Sequence, residues 1–301
     1  MRERWSLDHA RFVVLGMGSW YLTYVSFRNL KSFVPFVNTG VDDDNFQRLD
    51  RAIFFGHDPA ALLHDLLGTA AAAEVLSVIY IAWLPFIPFS IAAALVWTRH
   101  ASAGAWYVTA MAVDWVLGAV TFYIFPTLGP VYSTPADFAA LPTTATSQLQ
   151  SSMVADRAEV LADPFATDAV QNIAAFASLH VGMTVTACLI AHLLGVRRSV
   201  RYALWAFLFL TVLATVYLGW HFFVDAIGGA VIGATAVWVA AAATGHRTRP
   251  GSLGRSGSAA LGASVHRVVE SEESPLRRRS ASVPFAPTRG FGGKADERPW
   301  T

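Results

Sequence analysis

Charge and cysteine are both scarce in this chain of 301 residues: 14% are Asp, Glu, Lys or Arg, and a single cysteine is present. One cysteine excludes an intrachain disulfide framework and a cysteine zinc site. Cys188 lies inside an apolar run, where a free thiol serves as a small packing residue. Low charge density beside 54% hydrophobic residues and a mean hydropathy of +0.44 separates the chain from ordinary soluble proteins and points to a membrane protein. The net charge of +1 conceals an uneven distribution, because much of the Arg lies in short segments beside apolar stretches and in the C-terminal tail. No nucleic-acid partner is expected. No inverted repeat or paired half-helix breaks are evident, which speaks against a transporter.

What is abundant is apolar sequence in long runs. A helix needs about 20 mostly apolar residues to cross the hydrocarbon, with its backbone polar groups satisfied internally. Six runs meet that description, near residues 11–27, 75–97, 105–125, 175–195, 201–218 and 221–243. The expected fold is all-α: a polytopic bundle of six transmembrane helices over residues 1–244, with a tail over 245–301. Arg2 and Arg4 precede the first run, but no small-residue cleavage site follows, so it reads as an anchor rather than a signal peptide.

Basic residues in short loops stay on the cytoplasmic side. Arg2, Arg4 and Arg11, then Arg99, then Arg197, Arg198 and Arg201, then Arg247 and Arg249 all fall on one side of a six-span topology. Both termini are then cytoplasmic. The long segments 28–74 and 126–174 and the turn at Gly219 face the other side.

Residues 46–67 mix apolar positions with Arg48, Asp50, Arg51, His57, Asp58 and His64, as an interfacial amphipathic helix broken near Gly56 and Pro59 would. Asp42, Asp43 and Asp44 ahead of it read as a solvated turn or helix start. Residues 126–169 carry five prolines among many Ser, Thr and Ala and read as mostly irregular. From Gly245 onward the tail is rich in Gly, Ser, Pro and Arg without an apolar period, which describes a disordered cytoplasmic segment; Arg277, Arg278 and Arg279 in it read as a solvated charge run.

Two segments place ionisable groups and glycines at helix ends on the outer side: Ser178-Leu179-His180-Val181-Gly182, and Tyr217-Leu218-Gly219-Trp220-His221 continuing to Asp225, Gly228 and Gly229. At helical spacing, His221 and Asp225 share a face. The carboxylate would then fix the imidazole tautomer, leave the other nitrogen as nucleophile and stabilise the cation formed when that nitrogen bonds to phosphorus. His180 would serve as acid and then base. Ser178 and the first amides of its helix favour a phosphate, and Gly182 and Gly219 permit close approach of backbone to ligand or of helix to helix. A carboxylate inside an apolar helix implies a partner or a function, which applies to Asp225 and to Asp114. Asp114 is expected to bond a Tyr, Trp or Ser on a neighbouring helix or to line a lipid entrance.

Ser-Leu-His-x-Gly followed by Tyr-x-Gly-x-His-x-x-x-Asp-x-x-Gly-Gly resembles the second and third motifs of the type 2 phosphatidic acid phosphatase superfamily. It is most similar to the branch with inositol phosphorylceramide synthases. Residues 49–59 and Phe125-Pro126-Thr127-Leu128-Gly129-Pro130 resemble the regions preceding those motifs. The resemblance implies a six-helix core and a lipid phosphotransferase or phosphatase that needs no metal or other cofactor. It also implies a phosphohistidine on His221, with His180 as acid and base, and an extracytoplasmic site in a bacterial plasma membrane. A phospholipid or other lipid phosphate would be the substrate, and a lipid or polyol a possible acceptor. Two family features are absent: the first motif, Lys followed after six residues by Arg-Pro, and a Ser-Arg pair ahead of the nucleophile, where Ala214 and Thr215 stand. A phosphate in a low-dielectric site needs cations, and Arg28, Lys31, Arg51 and His57 of the first outer loop are the candidates. A singly charged phosphodiester needs fewer of them than a monoester dianion, which favours transfer. The repeated Asp and Gly-x-x-Ala-Arg signature of metal-dependent alcohol phosphotransferases is not found. The alternative is a transporter or lipid scramblase using His180, His221 and Asp225 as a proton or headgroup path.

Overall fold

A computed structural model describes residues 6–97 and 101–246, all within one compact unit, Met1–Ser252. The expected disordered tail beyond residue 246, with Arg247, Arg249 and Arg277 to Arg279, lies outside the described residues, as do Arg2, Arg4 and Arg99. The described residues are helical, without a strand: α1 Leu7–Ser32, α2 Val34–Val37, α3 Asp43–Ile53, α4 Pro59–Leu67, α5 Ala71–Trp97, α6 Ala101–Ile124, α7 Pro130–Ser133, α8 Ala145–Ala162, α9 Leu179–Leu193, α10 Arg198–Tyr217 and α11 Phe223–Ala243.

Four of these, α5, α6, α10 and α11, are long and apolar enough to cross a membrane. That corrects the expected six. The 26 residues of α1 are long enough, but Asp8, Arg11, Arg28 and Lys31 and a scatter of Ser, Thr and Asn dilute its apolar content. The 15 residues of α9 extend only about 22 Å at 1.5 Å per residue, short of a hydrocarbon layer of about 30 Å. Both nonetheless pack into the bundle. α11 lies against α9 and α6, α9 also against α10 and α6, and α1 against α6 and α5. One apolar core, with Trp83, Trp106, Met111, Phe122, Met183 and Val237, runs through them.

Close approach of α9 and α11 is possible because glycines face each other. A Cβ on Gly229 would sit 2.2 Å from the Ser178 carbonyl, and one on Gly233 2.2 Å from the Gly182 carbonyl. Any side chain there would push the helices apart.

Outside the bundle one expectation holds and two change. The segment 46–67 does break at Phe55 and Gly56, both with positive φ, giving α3 and α4. Asp43 begins α3, yet it is not a solvated turn residue: it is 4% exposed and its carboxylate accepts from the Leu128 and Gly129 amides. The loop 126–169 contains an 18-residue helix, α8, started by a reciprocal cap between Thr144 and Ser147. A capping pair satisfies the first free amides, and Ala, Gln, Leu and Glu then carry the helix without an apolar stripe.

Candidate active site

His180 and His221 come from different parts of the chain and meet. His180 Nδ1 lies 3.2 Å from His221 Nε2, and His221 Nδ1 lies 3.3 Å from Asp225 Oδ2. The three side chains form one hydrogen-bonded row.

Local backbone structure explains the placement. His221 is not on α11; it precedes the N-cap, Phe222, while Asp225 is the third helical residue. The expected helical face is therefore replaced by a helix start, where Asp225 Oδ2 accepts from the Phe222 amide at 3.0 Å as well as facing His221. That reach-back satisfies an amide with no partner inside the helix. Gly219, at φ +72°, turns the chain between α10 and His221, and a Cβ there would meet Phe138 and Val131.

α9 begins one residue before His180. Ser178 is its N-cap, accepting from Val181 N, and is fully buried. The Ser178 amide donates to the Asp225 carbonyl at 3.0 Å, so the two histidine-bearing helix starts are joined through the backbone. Gly182 is taken up by packing against Gly229. Trp83 Nε1 donates to the His180 carbonyl at 3.0 Å and to Thr184 Oγ1 at 2.9 Å. Its ring centre is 4.2 Å from that of His180, with Tyr80 on the same imidazole at 4.8 Å. His221 is 5% exposed and Asp225 fully buried. Asp225 Oδ1 has no hydrogen-bond partner among the described residues.

Of the candidate cations, Lys31 is the one turned against core rings, those of Phe27 and Phe122. It reaches in from the end of α1 with Nζ 4.6 Å from the Phe122 ring centre. Arg28 instead lies 6.0 Å from the Tyr24 ring centre. Arg51 and His57 are exposed. Asp114 is fully buried and does not line an entrance. Neither of its oxygens has a partner at hydrogen-bond distance, and the side chain it faces is Thr186 of α9, not the expected Tyr, Trp or Ser. Among the described residues, no group of three or more His, Cys, Asp or Glu could hold a metal.

Residues that the sequence reading did not single out hold the site from outside. Asp50, 2% exposed, accepts from the amides of Phe223 at 2.7 Å and Val224 at 2.9 Å. Burial pushes its carboxyl up to about 6, against the pull of those two amides. Asp43 is likewise raised by burial, with the Leu128 and Gly129 amides opposing. The signal was present in the spacing: positions 43, 46 and 50 fall on one face of a helix. A cavity of about 290 Å³ lies beside the site, lined by Tyr132, Thr144, Ser147, Gln150 and Leu218 among others. Trp220, stacked on Tyr80 at 4.7 Å, stands edge-on to Tyr132; the histidine pair is not in the cavity wall.

A family model described as the PAP2 superfamily matches residues 44–239. No curated protein and no solved structure matches.

Proposed function

Because the chain belongs to the PAP2 superfamily, we propose that it transfers or hydrolyses the phosphoryl group of a membrane lipid phosphate or phosphodiester through a phosphohistidine on His221. The observation that carries this reading is the row from His180 through His221 to Asp225, with spacings of 3.2 and 3.3 Å. An ionised Asp225 only accepts, so His221 carries its proton on Nδ1 and presents a lone pair on Nε2. The hydrogen bond to Nε2 must then be donated by His180 Nδ1. The two facing nitrogens are thus complementary before substrate arrives: His221 Nε2 is bare, and His180 Nδ1 carries a proton.

Substrate phosphorus enters between the two rings and replaces their mutual hydrogen bond. His221 Nε2 bonds to phosphorus, the bond from phosphorus to the departing alcohol oxygen breaks, and that oxygen takes the Nδ1 proton of His180, which enters the step as the imidazolium and leaves it neutral. The incoming water or alcohol next gives its proton to His180 and bonds to phosphorus as the phosphorus–nitrogen bond breaks, restoring the His180 imidazolium and the free His221 imidazole. Asp225 stabilises the imidazolium in between. Lys31 supplies positive charge, assisted by the first amides of α9 and the N-cap Ser178. One nearby cation suits a singly charged phosphodiester and so a headgroup transfer of the inositol phosphorylceramide synthase kind, with a lipid or polyol hydroxyl as acceptor. No metal or other cofactor takes part.

The same reading places the protein in a bacterial plasma membrane. Arg11 lies near the start of α1, and Arg197, Arg198 and Arg201 lie at the start of α10, where α9 leads into it. The α9–α10 junction is at the opposite end of α9 from His180, so the positive-inside rule puts the histidines on the extracytoplasmic side. The test is to incubate the purified protein with labelled phospholipids, with and without ceramide, diacylglycerol or inositol, and to separate the products. A new headgroup lipid indicates transfer, and free phosphate hydrolysis. His221→Ala and His180→Ala should each abolish turnover, and chelator should leave it unchanged; activity surviving both substitutions contradicts the mechanism.

A further inference from the structure

One face of α3 bonds to or packs on three segments next to the histidines: the start of α11, residues 128–129 and Phe176. Asp50 accepts from the amides of Phe223 and Val224, the residues between Phe222 and Asp225. Two turns earlier on the same face, Asp43 accepts from Leu128 N at 2.9 Å and Gly129 N at 2.8 Å. That segment in turn supports the chain just ahead of His221. Val131 N donates to the Gly219 carbonyl at 2.9 Å, and the Trp220 carbonyl lies so close to Gly129 that a Cβ there would approach it to 2.5 Å. Between the two aspartates, Phe46 packs on Phe222 at 6.1 Å and on Phe176 at 4.8 Å between ring centres. Phe176 leads directly into Ser178 and His180. Both aspartates and Phe46 are buried.

From this arrangement we infer that α3 is a positioning clasp for the proposed reaction, with Asp50 and Asp43 holding His221 and Asp225 in register with His180 through backbone amides. The inference rests on the phosphohistidine reading. Neither aspartate touches the reacting atoms in this account. Their carboxylates act on the turn that carries the nucleophile, much as a support behind a loop sets the direction of the side chain it bears. A ring displaced by about 1 Å loses up to about a hundredfold in rate, because attack distance and angle are set by that turn. In the proposed reaction substrate affinity is left to other groups, Lys31 among them.

The experiment compares Asp50→Asn, Asp43→Asn and the double variant Asp50→Asn/Asp225→Asn with Asp225→Asn alone. An exposed neighbour, Asp44→Asn, is the control. Turnover is expressed per folded molecule after detergent extraction and gel filtration. Each single clasp variant should lower kcat by about 10- to 100-fold with KM within about threefold, while the Asp44 control matches wild type. Asp50→Asn should cost much less in the Asp225→Asn background than in wild type, since both act through one imidazole. Unchanged kcat in both clasp variants, or effects that multiply independently of Asp225, would overturn the inference. So would failure of both to yield folded protein, which would make the aspartates determinants of the fold. If His221→Ala retains wild-type turnover, the phosphohistidine reading itself fails; if it abolishes turnover while the clasp variants do not change kcat, only the clasp fails.

Discussion

A carboxylate behind an imidazole decides which ring nitrogen carries the proton, and in the proposed mechanism Asp225 makes that choice for His221. Asp225→Asn keeps the shape but lets the amide donate to Nδ1, which would move the proton to Nε2 and block the nucleophile. The expected loss in kcat is about 10²- to 10⁴-fold with little change in KM, measured by steady-state turnover of a labelled lipid. Lys31 should behave in the opposite way. Lys31→Gln removes a charge-assisted contact of about 1.5–3 kcal/mol, so KM should rise about tenfold or more with a smaller change in kcat. Asp50 adds a pH effect. Its carboxyl is raised from 3.8 to about 6 by burial, so the folded protein holds that proton more tightly than the unfolded chain does. The stability gained this way is complete below 3.8 and is lost as pH rises through about 6. Asparagine cannot titrate. Between about pH 4 and pH 7.5 the melting temperature of Asp50→Asn relative to wild type should therefore move in the variant's favour; a constant difference would contradict the assignment.

At the scale of helices, α9 and α11 bring the histidine-bearing starts together, and glycine is what allows it. Gly229→Ala places a methyl 2.2 Å from the Ser178 carbonyl, which should cost about 1–3 kcal/mol as overpacking does and separate the two imidazoles. Gly18→Ala on α1, with open space around the added carbon, should leave melting temperature and turnover unchanged. Much of this was legible in the sequence. The two motifs name His180, His221 and Asp225, and the structure joins all three. The apolar runs mark where α5, α6, α10 and α11 lie, because burial in lipid demands length and uniform composition. What was not legible arises from contacts far apart in the chain. Asp43 and Asp50 look like solvated acids beside Arg48 and Arg51; their spacing with Phe46 puts them on one helix face, but their partners, the amides of Leu128, Gly129, Phe223 and Val224, arrive from far along the chain. α8 escaped notice because its start depends on one cap between Thr144 and Ser147, while the prolines around it resemble those of a loop. His221 pairs with Asp225 across a helix start rather than along a helix, a distinction that residue spacing cannot make.

For the molecule as a whole, the proposed function requires the histidine pair to face outward and the α9–α10 junction inward. Ser152 on α8 and Ser199 at the start of α10 are both exposed and lie in segments assigned to opposite sides, while the native Cys188 is fully buried. Ser152→Cys should react with a membrane-impermeant thiol reagent in intact cells, and Ser199→Cys only after lysis. The reverse pattern would put the site in the cytoplasm. The central claim concerns one covalent bond between His221 and phosphorus, and it can be trapped. Protein turning over a lipid labelled with radioactive phosphorus in its phosphate is quenched in alkali and separated from lipid. The account expects a label on the protein that survives alkali, is released by acid, and is absent from His221→Ala. An active enzyme that carries no such label, or that keeps it after His221→Ala, would contradict the account.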